Sequence, residues 1–85
     1  MLDLSGNDFK VLPTSFSNLG NLEELFINEY KNFQLEKNIL ILSKLPNLAV
    51  LHLENDGLKS LPKNTSDLSH IESLYLNNNE FKHFQ

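Results

Sequence analysis

The chain has no cysteine and no tryptophan, only three glycines and three prolines, and no arginine: its seven basic residues are all lysine. Without cysteine there is no disulfide framework, no thiolate metal site and no thiol nucleophile. Against 11 acidic residues the lysines leave a formal net charge of −4 and a pI near 5.2. No cationic field draws phosphate backbones, so no nucleic-acid partner is expected. The longest uninterrupted apolar run, Ile39-Leu40-Ile41-Leu42, falls far short of the roughly 20 residues of a membrane helix. The N-terminus opens on an apolar-acidic alternation instead of a basic stretch followed by an apolar core. No membrane partner and no leader are expected, and the cytoplasm is the expected compartment.

What the chain does have is leucine and asparagine, 18 and 12 residues of 85. With 40% hydrophobic and 21% charged residues it carries enough apolar mass for one core, and its length allows a single domain over residues 1–85. The leucines are periodic. Leu2-x-Leu4, Leu25-x-Ile27, Leu51-x-Leu53 and Leu74-x-Leu76 recur at intervals of 23, 26 and 23 residues. Three positions after each pair stand Asn7, Tyr30, Asp56 and Asn79, then Phe9, Asn32, Leu58 and Phe81, then Leu12, Leu35, Leu61 and Phe84. Pro13 and Pro62 follow, and Leu19-x-x-Leu22, Leu45-x-x-Leu48 and Leu68-x-x-Ile71 lead into the next pair. The units run over approximately 1–21, 22–47, 48–70 and 71–85.

The stretches from Leu48 to Pro62 and from Ile71 to Phe81 carry this pattern most fully. It resembles the leucine-rich repeat family, whose unit reads L-x-x-L-x-L-x-x-N-x-L-x-x-L-P. The resemblance implies an α/β fold, a right-handed β-α solenoid of about three and a half repeats with a parallel sheet on its concave face. The residues support the same architecture. Period-2 alternation in L-x-L makes a short strand with both leucines on one face, and a unit so short buries that face only by stacking on copies of itself. Strands are expected to centre on Leu2–Ser5, Glu24–Asn28, Val50–Glu54 and Ser73–Asn77, with every leucine of the pairs buried. The Asn or Asp three residues on can bond the backbone where the chain turns out of the strand. Gly57 suits a positive φ at that bend. The Leu-Pro step opens a return that reads as a helical turn or a short 3₁₀ segment.

The second unit departs from the pattern. Tyr30 holds the Asn position, Pro is missing, and three extra residues fall in Glu36–Lys44, a segment without Gly or Pro that predicts a longer helix on the convex side within residues 36–45. Asn28 and Asn32 are the candidates to replace the hydrogen bonds that an Asn at position 30 would make. At the ends, Met1 directly precedes the first pair and Gln85 falls inside a repeat. The terminal units are therefore expected to lack caps, leaving Phe9, Leu12, Phe81 and Phe84 without stacking neighbours and allowing self-association through the ends.

Alternation turns the residues between the leucines to the opposite face of the sheet. That row reads Asp3, Phe26, His52 and Tyr75, and the next row reads Ser5, Asn28, Glu54 and Asn77. Aromatic rows also stabilise sheets. Three rings gathered on one face, bordered by Asn28, Glu54 and Asn77, make a candidate partner-binding stripe, since exposed aromatics anchor interfaces more than other residues. The acidic residues Glu23, Glu24, Glu29 and Glu54 on or beside the strands favour a Lys- or Arg-bearing protein partner. His52, His70 and His83 share no ligand spacing, so no metal or cofactor is expected. His52, Glu54 and Ser73 can be neighbours, yet nothing supplies an oxyanion hole. Asn64-Thr65-Ser66 fits a glycosylation pattern that 12 asparagines produce by chance. The expected function is a non-catalytic protein–protein recognition scaffold. The alternative is the recognition region of a larger enzyme or receptor whose catalytic part lies elsewhere.

Overall fold

The computed structural model describes residues 1–7, 10–31 and 33–81. Four strands, β1 (Leu2–Asp3), β2 (Glu24–Phe26), β3 (Val50–His52) and β4 (Ser73–Tyr75), form one parallel sheet in the order β1-β2-β3-β4. Its register aligns Leu2, Leu25, Leu51 and Leu74 across the sheet, and beside them Asp3, Phe26, His52 and Tyr75. The strands are shorter than the alternation predicts, but the interstrand bonding is not. Leu4 N–H donates to Phe26 O (2.8 Å) and Gly6 N–H to Asn28 O (3.0 Å). The same two steps recur from Ile27 and Glu29 to His52 and Glu54, and from Leu53 and Asn55 to Tyr75 and Asn77.

One residue in each exit turns left-handed, at Gly6 (φ 75°), Glu29 (65°), Asn55 (58°) and Asn78 (60°). Gly and Asn adopt that conformation readily, whereas Glu29 pays for its Cβ. Gly57 also has a positive φ, 68°, and a Cβ there would run into the Lys31 carbonyl.

The return segments follow from the proline pattern. Pro13 and Pro62, with φ −67° each, precede 3₁₀ turns over Thr14–Asn18 and Lys63–Asp67. Proline presets that φ and needs no N–H at a helix start. In the second unit, with Glu36 in place of the proline at the start of the return and three more residues, the return is an α-helix, α1 (Leu35–Ser43). It begins one residue before the expected span and packs against both 3₁₀ turns. All three returns close alike, with Leu22, Leu48 and Ile71 donating N–H to the carbonyls of Leu19, Leu45 and Leu68 at 3.2 Å each.

The core lies between sheet and helix. Leu25 and Leu51 of the middle strands, with Ile27 and Leu53 just past their ends, meet Leu35, Ile39 and Leu42 of α1, all fully buried, each side chain contributing roughly 1.5–3 kcal/mol. Burial of every leucine pair does not hold. Leu2, Leu4, Leu74 and Leu76 are only half-buried, because each outer strand has a neighbour on one side alone. Leu12 is buried and Phe81 half-buried; Phe9, His83 and Phe84 lie outside the described residues. Inside the core, Asn38 of α1 is fully buried and fully used. Its Oδ1 accepts from Leu12 N–H (2.7 Å), and its Nδ2 donates to the carbonyls of Lys10 (3.0 Å) and Gln34 (2.9 Å).

Of the two candidate amides, Asn28 does not replace an Asn at position 30. Asn28 Oδ1 instead accepts from Glu54 N–H at 2.8 Å, and Asn32 lies outside the described residues. Tyr30 does the work itself, its hydroxyl donating to Leu4 O at 2.8 Å. In the last unit Asn79 Nδ2 reaches the matching carbonyl of the preceding strand exit, Leu53 O, at 2.8 Å. A phenol therefore spans, from a longer stem, what a carboxamide spans elsewhere.

Candidate functional site

The face of the sheet away from the core carries the ring row. Register alone fixes it: one position in β2, β3 and β4, with side chains one strand spacing apart, about 4.8 Å. Phe26 and His52 stack with centroids 3.9 Å apart and planes 10° from parallel; His52 and Tyr75 stack at 4.5 Å and 5°. The three rings form one continuous column. Tyr75 ends it, 43% exposed at the edge strand, while Phe26 and His52 are half-buried.

The column is held from the side by carboxylates. His52 Nε2 lies 2.9 Å from Glu24 Oε2 on the neighbouring strand, and its Nδ1 lies 3.7 Å from Glu54 Oε1. Glu24 was visible in the sequence as an acidic residue beside the strand; its pairing across the sheet with His52 follows from a diagonal neighbour relation that one strand's alternation does not reveal. The His52 ring is thus packed on both faces and bonded at Nε2, an orientation fixed by the fold.

The polar border is a second row linked rung to rung. Asn28 N–H donates to Ser5 Oγ (3.0 Å), Glu54 N–H to Asn28 Oδ1 (2.8 Å) and Asn77 Nδ2 to Glu54 Oε2 (3.2 Å). All six residues expected at the site, Phe26, His52, Tyr75, Asn28, Glu54 and Asn77, therefore lie side by side on one face. Asn28 also ties two strand exits together, a structural duty the sequence did not signal. At the β1 end, Ser5 N–H donates to Asp3 Oδ1 at 2.9 Å. The Ser5 hydroxyl, then its N–H, holds the Asp3 carboxyl below its ordinary pKa.

The charges on this face have one sign. Asp3, Glu24 and Glu54 surround the rings, and among the described residues no lysine lies in a strand. Two surface hollows lie elsewhere. One of about 300 Å³ is lined by Phe33, Gln34, Gly57 and Lys59 among others, and one of about 390 Å³ sits beside Met1, Leu2 and Gly20. Neither hollow is lined by Phe26, His52 or Tyr75. Among the described residues no group of three His, Cys, Asp or Glu side chains is placed to hold a metal ion. No protein-family model, no curated protein and no solved structure matches the chain.

Proposed function

We propose that the chain is a leucine-rich repeat solenoid with its sheet on the concave face, and that it serves as a non-catalytic protein-recognition scaffold. Its ring face binds a lysine- or arginine-bearing segment of a partner protein. The repeat reading is supported by the recurrence of the same exit turn, carbonyl ladder and return closure at each unit, with the three-residue insertion absorbed by α1.

The observation that carries the binding reading is the prestacked column Phe26–His52–Tyr75 with the carboxylates of Glu24 and Glu54 against its central ring. Rings already fixed by stacking lose little side-chain freedom on binding. Their apolar edges provide anchor surface, and the acidic border steers and registers a cationic segment. The test is photocrosslinking. A photoreactive residue at Asn77 is expected to trap a partner whose crosslinked segment is basic, with a yield that falls as salt rises. The same residue at Lys63, on the 3₁₀ return, is expected to trap none of it. Equal trapping from both positions, or a crosslinked segment without basic residues, contradicts the proposal.

A further inference from the structure

The position that ends each strand exit has a constant duty. Asn79 there donates Nδ2 to Leu53 O of the preceding exit (2.8 Å) and to Leu76 O of its own (2.9 Å), while its Oδ1 accepts from the N–H groups of Asp56 (2.9 Å) and Leu58 (3.1 Å). Tyr30 donates its hydroxyl to the preceding exit at Leu4 O. Asp56 occupies the same position in the unit between them and performs the accepting half: its Oδ1 takes Tyr30 N–H at 2.9 Å. The donating half falls to the other oxygen. Asp56 is fully buried, and Oδ2 has no hydrogen-bond partner. A carboxylate has no proton to give, and a buried acceptor without a donor carries its full desolvation cost. By repeat phase, the counterpart of Leu53 O and Leu4 O for Asp56 is the Ile27 carbonyl.

Among the described residues no cation pairs with a charge at this place. The titratable residues on the surrounding segments are Glu29, Tyr30 and Lys31 at the exit of β2, Glu54 and Lys59 on its own segment, and Glu80 on the next. Among the described residues none forms an ion pair with Asp56. Burial raises its pKa to about 7, against the opposing pull of the Tyr30 N–H.

We propose that Asp56 stands in the folded chain as a neutral carboxylic acid whose Oδ2–H donates to the Ile27 carbonyl, doing with a titratable proton what the Asn79 carboxamide does permanently one unit on. The junction between the second and third units is then a proton-dependent latch. The sign follows from linkage. The folded state holds the proton to higher pH than the unfolded state, where Asp titrates near about 3.9. Stability from the latch is complete below about pH 4, declines as pH rises toward about 7 and is lost above it.

Asp56→Asn supplies the donor at every pH. In urea unfolding of the whole chain, the variant and the parent are expected to have matching midpoints near pH 4. By pH 8 the variant's midpoint is expected to be higher, with the parent's decline across that range absent. Parallel profiles, or a variant less stable at all pH values, would overturn the latch. A second readout needs no substitution: the side-chain carboxyl carbon of Asp56, followed by NMR in the folded parent, is expected to titrate near pH 7. Titration near pH 4 would mean a charged, unlatched Asp56.

Discussion

Tyr30 and Glu29 are adjacent and pull stability in opposite directions. The Tyr30 hydroxyl occupies a role that asparagine fills in the last unit, and it reaches Leu4 O without strain in the hydrogen bond, at 2.8 Å. Tyr30→Phe keeps the ring and its edge contact with Phe33 while removing that bond. It is expected to lower unfolding free energy by about 1 kcal/mol in denaturant titration. Glu29 holds a left-handed φ that the other units give to Gly or Asn. Glu29→Asn keeps the backbone N–H donation to Glu54 O and relieves the Cβ, so it is expected to raise stability by about 0.5–1 kcal/mol. A loss in the second variant would mean that the glutamate side chain makes a compensating contact.

At the scale of elements, much was legible because the repeat is a register. Leu2, Leu25, Leu51 and Leu74 align by spacing and are aligned in the sheet, and the Leu12-Pro13 and Leu61-Pro62 steps lead to 3₁₀ turns. The three extra residues of the second unit were read as a helix and form one. What escaped the sequence was whatever depends on a partner a full unit away. The Tyr30 bond spans 26 residues and the Asn38 bond to Lys10 spans 28. An Asn inside an apolar helix reads as a surface residue until the carbonyls it meets are known. The ring row was legible by phase, while the Glu24–His52 pair, also 28 residues apart, depends on side-chain lean across the sheet. Within α1 the account separates two neighbours. Ile39 is fully buried and Leu40 is 64% exposed. Ile39→Ala is expected to cost about 2–5 kcal/mol and Leu40→Ala under about 0.5 kcal/mol, read by the same unfolding titration. Similar losses at both would place the helix at a different rotation.

For the molecule as a whole, two gradients organise the surface. Burial of the inward leucines is complete in the middle strands and falls toward β1 and β4, so the strongest scaffold lies under Phe26 and His52, with Tyr75 toward the more open side. Charge is divided as well: the sheet face carries carboxylates around its rings, and the described lysines sit on the loops and returns, Lys37 in α1 and Lys63 in the second 3₁₀ turn among them. A cationic partner is attracted to one face and repelled from the other. With the crosslinked partner in hand, the deciding measurement is its affinity for Phe26→Ala and Tyr75→Ala beside Lys37→Ala and Lys63→Ala, with folding of each variant checked. The account predicts a loss of roughly 2 kcal/mol or more, about thirtyfold, from either ring substitution and no weakening from either lysine substitution. Equal losses from both faces, or none from the rings, would contradict it and leave the column a device of sheet stability alone.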